Sequence, residues 1–361
     1  MPELAFDLFK THDYVKSKLE DMGYQTKTVA KTGLIAVKEG LSKKAVAFRS
    51  DMDALPVDEK TGVSFASTHK GKMHACGHDG HMSMLLGFAA HVSKIKQLNE
   101  TVVFIFQPAE EGPGGAKIII EEGLFETYDI KKIFGLHLYP GLQEGIYGLV
   151  KGPMMAQNGE FDIVIDGTSA HGAQPHLGVD AIVAGMHLVQ MYHQIISRSL
   201  NPLEPAVITV GTIHGGEARN IIANQIRMSG TIRAFNQDTY QMIKDKMKAI
   251  DSGVERLFGV NVDAIIRDCY PPVVNDANLF ETVKGCLESN EYEVLKPMMF
   301  AEDFAFYQRV VPGLFVMLGS RNETREFVHP LHSCFFNFNE DILVKGVELY
   351  VKIGEALGLF D

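Results

Sequence analysis

Three short, uninterrupted apolar runs, each stopping abruptly at polar residues, constrain this chain most. Ala45-Val46-Ala47-Phe48 runs into Arg49-Ser50-Asp51, Thr101 to Phe106 runs into Gln107-Pro108, and Ile133 to Leu136 stops at His137. A strand with one wet face alternates apolar and polar residues; a strand that is apolar throughout is buried on both faces. Stretches with helical spacing accompany these runs, from Asp7 to Met22 and from roughly His81 to Lys94. The pattern predicts an α/β domain whose parallel-rich sheet is covered by helices.

The middle of the chain changes style. Glu160 to Asp166 alternates as a half-exposed strand does, a helix is expected from Asp180 to Arg198, and strands follow at Ala206 to Ile213 and Gln225 to Ala234. A charged helix over Asp238 to Leu257 and a strand over Val260 to Asp268 complete the order β-α-β-β-α-β, that of a ferredoxin-like α+β unit. The tail returns to the first style, with a helix over Asp276 to Ser289, a buried strand over Leu314 to Leu318 and a last helix over Asp341 to Leu357. A chain of 361 residues is long for a single core. The expected division is therefore a discontinuous domain, 1–155 and 269–361, with 156–268 inserted.

Composition excludes several functions. With 34 basic and 45 acidic residues the formal charge is 34 − 45 = −11, a poor match for nucleic acid or anionic membranes. No apolar run reaches the roughly 18–20 residues that span a bilayer. Met1-Pro2-Glu3-Leu4 is acidic and has no signal-peptide core, so a cytoplasmic location is expected. Four scattered cysteines, Cys76, Cys269, Cys286 and Cys334, make no disulfide framework.

Sites in open α/β sheets form beyond the carboxyl ends of the strands. Here those ends carry Asp51 and Asp53, then His74-Ala75-Cys76-Gly77-His78-Asp79-Gly80-His81, then Glu110-Glu111 ahead of a glycine-rich turn, then His137; the C-terminal segment adds His329 and His332. Taken singly, Cys76 fits a small buried residue, the paired glutamates a solvated surface, and His137 or His332 a core histidine. Together they offer thiolate, imidazole and carboxylate on one edge, a mixture suited to a Zn- or Mn-type cation.

At these residues the chain resembles the M20 metallopeptidase superfamily, in its amidohydrolase branch of aminoacylases, hippurate hydrolases and N-acetyl-diaminopimelate deacetylases. The resemblance rests on Arg49 to Pro56, Met73 to His81, Gln107 to Ala116, Gly135-Leu136-His137, Ser169-Ala170-His171 with Pro175-His176, Gly215 to Ile222, Gly230 to Arg233, Glu302-Asp303-Phe304 and Leu331-His332. It implies two divalent metals, Zn or Mn first and Co or Ni next. Cys76 would bridge them, with His78 and His137 on one metal and Glu111 and His332 on the other. Glu110 would be the general base, Asp51 and Asp53 would support the ligands from behind, and His81 would do so too. The inserted unit would be a lid that dimerises. In it His171 would stabilise the oxyanion, often across a homodimer, while Asn220 and Arg233 would grip the substrate carboxylate. Relatives carry His-Pro-Glu-Leu after a basic helix where this chain reads Met1-Pro2-Glu3-Leu4; that segment supplies no ligand, so the chemistry is expected to be spared. The expected reaction is hydrolysis of small N-acyl-L-amino acids, N-acetyl-diaminopimelate in lysine biosynthesis being one candidate. A dipeptidase, and a non-catalytic metal- or ligand-binding relative, are the alternatives. Retention of Glu110 speaks against the last, because a binding protein needs no base.

Overall fold

In the computed structural model, which describes residues 1–360, the chain divides into two compact units. The larger comprises Met1–Gly152, Val274–Pro297 and the described chain from Glu302 onward; the smaller comprises Pro153–Val273 with Met298–Ala301. The short segment joins the smaller unit through a bridge from Met155 to Met298 and a bond from the Ala156 N–H to the Phe300 carbonyl at 2.9 Å.

The larger unit holds an eight-stranded mixed sheet. Its spatial order is Thr26–Val29, Gly33–Lys38, Glu100–Gln107, Ser42–Asp51, Ile130–Gln143, Gly313–Arg321, Tyr147–Leu149 and Tyr292–Val294. The four long central strands are parallel, and their register sets Phe48 beside both Phe104 and Phe134. On that face Phe48 packs on Phe88 of the helix His78–Ser93 (ring centroids 4.7 Å apart) and on Tyr350 of the helix Leu343–Ala356 (5.4 Å). Ala47, Val103, Ile105 and Phe315 alternate with this set along the strands and are buried as completely. Both faces are dry, which is why the runs show no polar alternation; each buried Phe contributes on the order of 2–3 kcal/mol.

Two departures from the sequence reading shape the site. The helix expected near His81 begins at His78, because Gly77 adopts φ +83° and closes the preceding loop. A side chain there would be strained by that φ, and its Cβ would lie 2.9 Å from Leu138 Cδ1. The strand expected to stop at His137 continues to Gln143. Its ladder with Ser42–Asp51 ends at the pair Arg49 and Gly135, while its ladder with Gly313–Arg321 runs on to Gln143 and Arg321. His137 therefore lies inside a strand that has lost one neighbour.

The smaller unit is a four-stranded antiparallel sheet in the order Asn261–Asp268, Gln157–Asp166, Gln225–Ala234, Ala206–Gly215. In chain order that is fourth, first, third, second, the ferredoxin-like arrangement. Helices Ala181–Gln194 and Gln237–Phe258 pack their apolar stripes on the sheet through Leu188, Tyr192, Ile243 and Met247. Asp180 and Asn236 cap them by accepting the N–H groups of Ile182 and Thr239. The first helix ends earlier than Arg198, relaxing into a π-helical turn over Ile195–Ser199. Tyr192 donates to Asp251 Oδ1 at 2.5 Å in the buried helix layer. The Ala206–Gly215 strand lies at the sheet edge, its outer flank without a strand partner among the described residues. Among the described residues no helix is long and apolar enough to cross a membrane.

Candidate metal centre

The parallel strands deliver their polar residues to one edge of the larger unit. Ser42–Asp51 leads into Asp51 and Asp53, Glu100–Gln107 leads into the loop with Glu110 and Glu111, and Ile130–Gln143 carries His137. The first turn of the helix His78–Ser93 adds His78 and His81, and the loop before it adds Cys76. The glutamate loop is drawn tight: a Cβ on Gly115 would lie 2.0 Å from the Pro108 carbonyl oxygen, and Ala109 sits at φ +59°. His332 arrives from the C-terminal segment, its N–H donating to the Ala75 carbonyl at 2.8 Å, with φ +67°. Two non-glycine residues held in the left-handed region around one set of side chains, Ala109 and His332, point to a functional constraint.

Several triplets of donor atoms result, and two of them share a residue that could bridge two ions. Cys76, His78 and His137 bring one donor atom each within 4.8 Å of one another, and so do Cys76, Glu111 and His332. Cys76 belongs to both. Its Sγ lies 3.4 Å from His137 Nε2, while His332 Nε2 lies 3.2 Å and His78 Nε2 4.0 Å from Glu111 Oε1. Buried His78 Nε2 and Glu111 Oε1 have no hydrogen-bond partner. Such orphans are costly unless something else coordinates them. One thiol, three imidazoles and a carboxylate with unspent lone pairs fit a pair of borderline-soft divalent cations.

Asp53 holds this set in place. Its Oδ1 accepts the N–H of Glu110 at 3.0 Å, its Oδ2 accepts the N–H of Glu111 at 3.1 Å, and Oδ1 stands 3.5 Å from His78 Nδ1. Asp51 in turn accepts from His81 Nδ1 at 2.7 Å and from Arg49 Nη1 at 2.8 Å. Arg49, 1% exposed, also donates to Asp303 Oδ1 at 2.8 Å and lies 2.9 Å from Glu302 Oε1. Sequence reasoning gave no role to Arg49, Gln107, Glu302 or Asp303. The signal was present: Arg49 ends an apolar run, and a guanidinium there needs carboxylates from elsewhere.

The adjacent glutamates face different surroundings. Glu110 groups with Glu302 and Asp303 on one side and with His78 and Glu111 on the other; burial, reinforced by Glu302 and Glu111, pushes its carboxyl well above the usual range. Burial also pushes Glu111 up, but the close approach of the His332 imidazole and the charge of His78 outweigh it and hold Glu111 low. Burial and the surrounding carboxylates raise the Cys76 thiol. Burial drags His78 down, yet Asp51, Asp53 and Glu111 hold it at about 10. The raised carboxyl, thiol and imidazole share one cause, an excess of acidic groups crowded in a dry pocket, which favours a bound cation.

His171, Asn220 and Arg233 lie in the smaller unit. His171 is exposed and bridges to Ile221; the N–H of Gly172 beside it donates to the Asn220 carbonyl at 2.8 Å. Arg233 is half-buried on the strand Gln225–Ala234, its Nη1 donating to the Ile232 carbonyl at 3.0 Å.

A sheet-edge site with this donor set and a buried carboxyl beside it defines a metal-dependent hydrolase. The chain belongs to the peptidase family M20/M25/M40, whose model matches residues 47–356. It is similar to uncharacterised hydrolases of Staphylococcus saprophyticus, 35% identical over 98% of this chain and 93% of the relative, and of Staphylococcus epidermidis, 36% identical over 97% and 93%. Among solved structures it resembles a putative aminohydrolase from methicillin-resistant Staphylococcus aureus, at TM-score 0.93 and 33% identity over 99% of this chain and 93% of that one. It also resembles a dinuclear metal-binding M20 peptidase from Bacillus subtilis, at TM-score 0.86 and 29% identity over 99% and 94%.

Proposed function

We propose that this hydrolase cleaves the N-acyl amide of small N-acyl-L-amino acids, using two divalent ions of which Zn or Mn is the first choice. The observation that carries the reading is the difference between neighbours: Glu111 shares a donor group with Cys76 and His332, whereas Glu110 reaches His78 and Glu111 on one side and the buried Glu302–Asp303 pair on the other, and shares no donor group with Cys76. Cys76, His78, His137, Glu111 and His332 would hold the ions. When bound, they supply Lewis acidity and lower the pKa of water. Glu110 then takes a proton from the attacking water and delivers it to the departing nitrogen as the C–N bond breaks. Asp53 aims Glu110 through the backbone. Asp51 and Arg49 keep the floor of the pocket dry and charge-balanced. His171 donates to the carbonyl oxygen as it gains negative charge, and Asn220 with the planar fork of Arg233 holds the substrate carboxylate.

The protein acts as a homodimer through the smaller unit in this reading. Support comes from the open flank of Ala206–Gly215 and from exposed Ile182 and Met186, one turn apart on the helix beside it. A cytoplasmic location agrees with four free cysteines.

The test combines metal analysis with turnover of N-acetyl, N-benzoyl and N-succinyl amino acids beside dipeptides. Two ions per chain and preference for an acylated amino acid support the proposal. Preference for dipeptides replaces it with a dipeptidase, and a metal-loaded protein without turnover overturns it.

A further inference from the structure

We propose that His81 is a positioning residue that sets the tautomer and aim of His137 by gripping the backbone of Leu138. Both ring nitrogens of His81 are spent. Nε2 accepts the N–H of Leu138 at 2.9 Å, so that nitrogen carries no proton; the ring proton sits on Nδ1 and goes to Asp51 Oδ1 at 2.7 Å. His81 is therefore unavailable as a ligand, although Asp51, His78 and His81 form a triplet that mimics a third metal site.

The bond answers a defect in the sheet. Beyond Gly135 the strand Ile130–Gln143 has no neighbour on the Ser42–Asp51 side. A buried N–H there has no ladder partner, and an unmade hydrogen bond in such a place costs about 1–3 kcal/mol. His81 fills that gap. On the other side of the same residue, the Leu138 carbonyl accepts from His137 Nδ1 at 2.6 Å. That bond fixes the proton of His137 on Nδ1 and leaves Nε2 bare toward Cys76 Sγ. The two rings lie 4.4 Å apart between centroids, so His81 also walls the face of His137. A chain of contacts thus runs from Arg49 through Asp51 and His81 to Leu138, and from there to His137.

The inference rests on the proposed metal site, and the experiment separates the two. His81→Gln can place an amide oxygen where Nε2 lies and keep the Leu138 bond. His81→Asn can keep the bond to Asp51 but does not reach Leu138. Co(II) affinity is measured by chelator competition for both variants and the unaltered protein, with the thiolate-to-cobalt absorption band recorded. Hydrogen exchange at the Leu138 amide is followed in the metal-free proteins. The expected result is a 10–100-fold loss of affinity and a shifted band in His81→Asn, with faster Leu138 exchange. His81→Gln restores most of all three. Equal affinity and an unmoved band in His81→Asn overturn the inference, as do equal losses in both variants. If the unaltered protein takes up no Co(II), the metal-site reading itself fails, while the Leu138 exchange in His81→Asn still tests the backbone grip: unchanged exchange overturns it.

Discussion

Asp53 Oδ1 accepts the backbone N–H of Glu110 at 3.0 Å, and the same carboxylate takes the N–H of Glu111 through its other oxygen. One side chain therefore sets the geometry of both glutamates, and the roles proposed for them can be separated by substitution.

Glu110→Gln keeps size and backbone contacts but removes the acid–base function. We expect kcat on the best N-acyl amino acid to fall about 100–10,000-fold, with metal content unchanged. Steady-state kinetics with elemental analysis check this. Unchanged turnover would discard Glu110 as the base.

Removing the metal should destabilise the larger unit. Without cations, Glu111 Oε1 and the ring nitrogens of His78 stay buried without a hydrogen-bond partner. Chelation is expected to lower Tm by several degrees, and added Zn or Mn to restore it. Cys76→Ala should bind fewer ions than His332→Ala, because Cys76 belongs to both donor triplets while His332 is 54% exposed and belongs to one. Differential scanning calorimetry and metal titration read both effects.

Asp251 gives the smaller unit a pH dependence of its own. Burial, opposed in part by the Tyr192 hydroxyl, raises its carboxyl from 3.8 to about 6. The folded state then holds a proton that the unfolded chain releases. Its penalty is absent below pH 4 and grows as pH rises through 6, so stability falls with pH across that window. Asp251→Asn keeps an acceptor for Tyr192 and should stabilise the protein by up to about 3 kcal/mol at pH 8, with no gain at pH 4. Thermal unfolding at the two pH values decides the point.

The proposed dimer is tested at the open sheet edge. Ile182→Asp with Met186→Asp should yield a monomer in analytical ultracentrifugation while the circular dichroism spectrum stays the same. An unaltered sedimentation coefficient that already corresponds to one chain would remove the dimer from the reading.

Much of this was legible in the chain. The buried strands announced themselves by length and apolarity, and each led to a polar residue that the fold carries to one edge. The ferredoxin-like order followed from period alone. Thr26–Val29, Gly33–Lys38, Tyr147–Leu149 and Tyr292–Val294 were not seen, since three to six residues carry too little pattern and their pairing is decided by neighbours far along the sequence. The start of the helix at His78 was missed because Cys76-Gly77-His78 has no apolar stripe and the deciding feature is the backbone angle of Gly77. The carboxylates around Arg49 were hidden for another reason: a guanidinium at a strand end does not say which distant acids will meet it. The His81 bond to Leu138 depends on where one ladder stops, which no local pattern encodes.

The Arg49 bridge to Asp303 spans 254 positions of sequence. During synthesis Cys76, His78 and Glu111 leave the ribosome long before Glu302, Asp303 and His332, and until then the guanidinium has only Asp51 of its three carboxylate partners. The Cys76–His78–His137 triplet is thus complete within the amino-terminal half of the chain, while the Cys76–Glu111–His332 triplet gains its last member only in the final third of translation.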